Sequence, residues 1–181
     1  LLRANLRIFS ELADMKKAIK DSSVLSMSEL QASPGYPSEK RFRAGPVAVI
    51  ECIQEIPCNP CESACRFNAI FVGEPITNLP RLVEEKCRGC GECIPACPGL
   101  AIFLVDENYS PTEAAVSIPY EYLLLPETGS SVCALDRCGE KVCSARVIRV
   151  SNPRKNNGTA VVTIAVPRKF SNKVRSFRIT E

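Results

Sequence analysis

Apolar positions recur along this chain with two different periods. Leu2, Leu6, Phe9, Leu12, Ala13, Met15 and Ile19 fall three or four residues apart and predict a helix over residues 1 to 20. Met27-Ser28-Glu29-Leu30 reads as the start of a second short turn. Two prolines and Tyr36 make Ala32-Ser33-Pro34-Gly35-Tyr36-Pro37-Ser38 an ordered loop. From Val47 onward the pattern changes to alternation and β-branched runs. Val47 to Ile53, Ala69 to Val72, Arg81 to Glu84 and Ala101 to Val105 read as strands, with a turn at Gly73-Glu74-Pro75. Ala114 to Ile118, Ser131 to Leu135, Val142 to Val150, Ala160 to Val166 and Val174 to Ile179 form a second series. Pro119 is predicted to end the first of these. Asp136 to Lys141 reads as a hairpin turn and Asn152 to Gly158 as a basic loop. The class is α+β, in three parts: a helical or extended arm over 1–44, a central domain over 45–110, and a small all-β domain over 111–181 closing as a barrel or sandwich.

Composition narrows what such a chain can do. Of 181 residues, 45% are hydrophobic and 24% charged, which is a folding composition rather than a disordered one. No apolar run is long enough to span a bilayer. The first residues carry no leader-like apolar stretch, so a cytoplasmic protein is expected, and the missing initial Met leaves room for a preceding segment. There is no His, which excludes imidazole catalysis and His-ligated metal or haem. No G-x-G-x-x-G or Walker A sequence supports a nucleotide fold, and no substrate site is visible. Charge is uneven: net +3 over 1–46, −5 over 47–110 and +5 over 111–181. The basic tail has no aromatic stacking pattern, so nucleic-acid binding is not expected.

The chemistry lies in 11 cysteines. An odd count and close spacing disfavour a disulfide framework and point to a reducing compartment. Cys87-Arg88-Gly89-Cys90-Gly91-Glu92-Cys93-Ile94-Pro95-Ala96-Cys97-Pro98 reads C-x2-C-x2-C-x3-C-P, the iron-sulfur ligand run, with zinc the weaker alternative. Glycines in the run let the chain curl and aim amides at sulfur. A second copy lies 32 residues upstream: Cys61 to Ile70 matches Cys93 to Ile102, and Cys58 matches Cys90. Glu55 stands where Cys87 would be matched, and Cys52 lies three residues earlier, giving C-x5-C-x2-C-x3-C. Cys133, Cys138 and Cys143 have a C-x4-C-x4-C spacing that suits no compact cluster motif and read as ordinary thiols.

These motifs resemble the bacterial dicluster ferredoxin domain over about residues 45 to 107, a third of the chain. The resemblance implies two [4Fe-4S] clusters, the fourth Cys of each run ligating the other centre. One set is then Cys87, Cys90, Cys93 and Cys65. The other is Cys58, Cys61 and Cys97 with Cys52. If Cys52 stays on its strand, the second centre has three thiolates and is [3Fe-4S], or is completed by Glu55 or water. Arg66 departs from the family pattern, standing where a Pro would follow Cys65. The whole chain is also similar to the small iron-sulfur subunits that accompany flavin-containing dehydrogenases, including those acting on proline or other amines. That implies a non-catalytic electron-transfer subunit in a hetero-oligomer, passing single electrons between partner cofactors, with FAD or FMN only on the partners. A free ferredoxin shuttle and a non-redox interaction subunit stabilised by clusters are the alternatives.

Overall fold

The computed structural model describes residues 25–180. The helix expected over 1–20 lies outside them. The chain divides into two compact units, one ending at Ser33 and one beginning at Pro34. In the first, α1 (Met27–Ala32) is opened by a capping box. The Glu29 N–H donates to Ser26 Oγ at 3.4 Å, and the Ser26 N–H donates to Glu29 Oε2 at 2.8 Å.

The second unit opens with α2 (Glu39–Phe42), capped by Ser38. Then follow β1 (Val47–Ile50), α3 (Pro60–Ala64), β2 (Ile70–Phe71), β3 (Arg81–Leu82), α4 (Cys93–Ala96) and β4 (Ile102–Asp106). The remaining strands are β5 (Glu113–Tyr120), β6 (Ser131–Leu135), β7 (Lys141–Ser151), β8 (Ala160–Pro167) and β9 (Ser176–Ile179). β2 and β3 pair with each other. The other seven form one antiparallel sheet in the order β1-β4-β5-β8-β7-β6-β9. The barrel or sandwich expected for 111–181 is therefore corrected. The late strands continue the sheet that β1 and β4 begin, and no ladder among the described residues joins edge strand β1 to edge strand β9. Alternation located these strands, but strand spacing holds no information about how a sheet ends.

Alternation also explains the two faces. Val47, Val49, Phe103, Val105, Val116, Ile118, Val162, Ile164 and Val147 form one buried core on one face. Ala48, Ile50 and Ile102 point the other way, into a second core with Ile70, Val72, Ile94, Cys61, Cys93 and Cys97. The cysteine-bearing segment thus packs on the β1–β4 end of the second face. β5 runs two residues past Ile118, the last residue expected before Pro119, to Tyr120. Its ladder with β4 stops at Ser117, while Pro119 still pairs with Val161 of β8, so beyond Ser117 β5 has a free side where a missing N–H costs no ladder bond.

Candidate functional site

The 32-residue repeat is visible in the backbone. α3 starts with Pro60 at its first helical position and is followed by Cys65 as its C-cap; α4 is followed by Cys97 in the same role. The Asn68 N–H donates to the Cys65 carbonyl and the Leu100 N–H to the Cys97 carbonyl, at 3.0 and 3.1 Å. Asn68 and Leu100 both take left-handed φ, 49° and 52°. The next amide then turns onto sulfur: Ala69 N–H donates to Cys65 Sγ at 3.2 Å, and Ala101 N–H to Cys97 Sγ at 3.5 Å. Cys87 Sγ accepts the Ala48 N–H from β1 at 3.5 Å. Amides aimed at sulfur stabilise thiolate charge.

Eight of the cysteines gather in two groups. Cys65, Cys87, Cys90 and Cys93 line one small cavity, and Cys52, Cys58, Cys61 and Cys97 line another. Each group combines thiols from both repeats. Cys52 has left β1 and stands on the second cavity wall rather than on the strand. Burial, and then the neighbouring Cys97, push the Cys61 thiol up to about 11. Cys93 is pushed further up, first by burial and then by Cys87, Cys90 and Cys65. In contrast, Cys133 is buried on β6, Cys138 is exposed in the β6–β7 turn, and Cys143 lies on β7. Cys133 faces Ser144 while Cys143 faces Ala134 in the ladder, so the two thiols fall on opposite faces.

Gly89 and Gly91 shape the second run. Gly89 has φ +65°, and a Cβ there would lie 2.7 Å from the Pro46 side chain and carbonyl. Gly91 has φ +77°, but a Cβ there would make only ordinary contacts, 3.6 Å from Ile94 and 3.9 Å from Leu104. Arg41 of α2 holds the same loop from outside. Its guanidinium donates to the carbonyls of Glu84, Gly45, Pro46 and Cys87 at 2.9 to 3.0 Å. Arg66 bridges the repeats through a bidentate pair with Glu92, which also receives Lys155 Nζ at 3.3 Å. These hydrogen bonds, Arg66 first, hold the Glu92 carboxyl below its ordinary value.

Neither Arg41 nor a second network was legible from the sequence. Beside Cys52, the Glu51 carboxylate accepts Arg137 Nη2 and Nε at 2.5 and 2.7 Å and Arg175 Nε at 2.6 Å. Burial opposes the charge, yet the two guanidiniums hold the Glu51 carboxyl low. The one available signal was Arg175 between Val174 and the β9 apolar positions.

The cofactor expectation requires correction. Among the described residues, no group of three or more His, Cys, Asp or Glu side chains is placed to hold a metal ion. The thiols line cavity walls rather than meeting at a point. Two [4Fe-4S] clusters, or a [3Fe-4S] centre at the Cys52 set, are therefore not assigned, nor is the dicluster ferredoxin identity that implied them. A 4Fe-4S binding domain family matches once, over residues 80–103, which supports a single motif.

Two relatives share a short segment. One is a subunit of the Na(+)-translocating ferredoxin:NAD(+) oxidoreductase complex of Acetobacterium woodii, 45% identical over 47 residues. The other is the polyferredoxin-like subunit of the aliphatic sulfonate oxidoreductase of Pyrococcus furiosus, 48% identical over 48 residues. Each match covers 26% of this chain, and 14% and 27% of the respective relative. No solved structure matches the chain. No helix of the described residues is long and apolar enough to cross a membrane.

Proposed function

We propose that this chain is an electron-transfer subunit of an oxidoreductase-type complex. The reading rests on one observation above others. The segment that matches the 4Fe-4S binding domain family, residues 80–103, is one in which the backbone turns an amide onto cysteine sulfur, at Cys97. A motif of this family supplies one-electron transfer when it carries its redox group. The side chains proposed to serve it are the cysteines of the matched segment, Cys87, Cys90, Cys93 and Cys97, with the deeply buried Cys93 foremost. The chain's own contributions are amide donors, a low-dielectric wall of Ala48, Ile70 and Leu104, and a loop fixed by Arg41. None of these moves a proton, and none is a catalytic acid or base.

A fixed subunit is favoured over a free shuttle by the segment after β5. Tyr122, Leu123 and Leu124 are 76%, 100% and 78% exposed. Three adjacent large apolar side chains in water fit a surface that another subunit covers. A flavin-bearing dehydrogenase subunit is the proposed partner, since a flavin accepts electron pairs and releases them singly.

The test is anaerobic isolation of the native complex, with iron, sulfide and flavin assayed and the chain cycled by reductant. A reversible one-electron signal that Cys93→Ser abolishes and Cys138→Ser leaves intact is the expected result. Leu123→Asp should release the chain from its partner without changing that signal. A signal unaffected by Cys93→Ser, or no reversible signal in the intact complex, overturns the reading.

A further inference from the structure

Beside the cysteine run lies a cleft of about 810 Å³. Its floor is a row across the face of the sheet on which the cysteine-bearing segment packs. Leu104 of β4 faces Ser117 of β5, Ser117 faces Thr163 of β8, and Thr163 faces Arg149 of β7. Ser117 Oγ and Thr163 Oγ1 are hydrogen-bonded at 2.9 Å. Arg149 reaches this row only because β7 is irregular. Val147 faces Ile164, yet the next ladder pair is Arg149 with Thr163, so Ile148 is skipped. Without that bulge, Ile148 would oppose Thr163. A bulge that places an arginine on a polar floor is the kind that re-aims a side chain at a site.

The charges of the lining agree. Arg66, Arg149 and Lys155 face one carboxylate, Glu92. Glu92 is already bonded to Arg66 and Lys155. Arg149 has no ion pair or side-chain hydrogen bond among the described residues and is exposed to the cleft. The cleft therefore carries a net +2 from its lining. Asn156 and Asn157 add polar groups to the lining, and Pro95 and Leu104 apolar ones. The volume falls in the range of cofactor-sized sites, roughly 300–1,000 Å³, and exceeds what a bare phosphate fills. An arginine fork suits phosphate oxygens.

We infer that this cleft binds a small phosphate-bearing ligand of nucleotide size, its phosphate on Arg149 and Lys155 and its body against Pro95 and Leu104. The ligand would lie beside Cys90, which lines both this cleft and the thiol cavity. Binding does not require the redox reading to hold, and its failure leaves that reading standing.

The test is calorimetric titration of the full chain at low salt with FMN, ADP and inorganic pyrophosphate. FMN or ADP should bind, more tightly than pyrophosphate. Arg149→Glu should weaken that binding at least about tenfold, the value of one lost charge-assisted contact. Lys173→Glu, an exposed charge outside the cleft, should leave it unchanged. Circular dichroism establishes that each variant is folded. Unchanged binding in Arg149→Glu, or no binding of any probe, overturns the site. Pyrophosphate binding as tightly as the nucleotides overturns the ligand class.

Discussion

Glu51→Gln is the perturbation whose magnitude the structure sets most closely. The carboxylate is 9% exposed and receives three charge-assisted hydrogen bonds, two from Arg137 and one from Arg175. Arg137 is 15% exposed and can turn outward once its partner is neutral, whereas Arg175 is 3% exposed and cannot. Its Nη1 remains bonded to the Ser171 and Val174 carbonyls, which hold the cation in place. Removing one partner of such a pair costs about 3–5 kcal/mol, mostly the penalty of the cation left behind. Arg137→Ala leaves the Glu51–Arg175 pair intact and should cost less, about 1.5–3 kcal/mol. Urea unfolding followed by circular dichroism measures both. The pH dependence has a definite sign. The folded carboxyl is held low, so its stabilisation is complete above the ordinary carboxylate value of about 4.3 and is lost as pH falls through the lower folded value. Glu51→Gln should remove that part of the acid slope. A cost below about 1 kcal/mol, or a larger cost for Arg137→Ala than for Glu51→Gln, would refute the reasoning.

Gly89→Ala should destabilise by more than the roughly 1–2 kcal/mol of a left-handed alanine, because its Cβ also meets Pro46; Gly91→Ala should show only the conformational cost, and urea midpoints separate them. Arg41→Ala strips donors from four carbonyls around the cysteine run and should cost about 2–4 kcal/mol, with Arg41→Lys recovering little, since one ammonium cannot span the four acceptors. With a thiol reagent at neutral pH, Cys138 should be modified at the rate of an exposed thiol, while Cys133 reacts only as fast as the sheet opens; mass mapping over time checks this.

What could be read from the sequence follows from how local each feature is. Ser131–Leu135 and the other late strands carry alternating or β-branched patterns that fix position and face, and each was found within a few residues. The repeat of Cys61 to Ile70 in Cys93 to Ile102 is also local, and its two halves fold alike down to the left-handed Asn68 and Leu100. The joining of the late strands to β1 and β4 is a long-range pairing that no local pattern encodes, hence the mistaken barrel. Glu51 meets Arg137 and Arg175 across 86 and 124 positions, which spacing cannot reveal. The β7 bulge shifts Arg149 onto the cleft floor, where simple alternation places Ile148. The doubled cofactor failed for another reason: thiol spacing counts potential ligands, whereas ligation depends on how the side chains converge.

The central claim, that electrons pass through the cysteine segment of a bound subunit, is tested most directly by redox titration of the anaerobically isolated native complex beside its Cys93→Ser variant. The account predicts a reversible one-electron step in the native complex that is absent from the variant, with the partner subunit retained in both. An unchanged step in the variant, or a native complex with no such step, would contradict it.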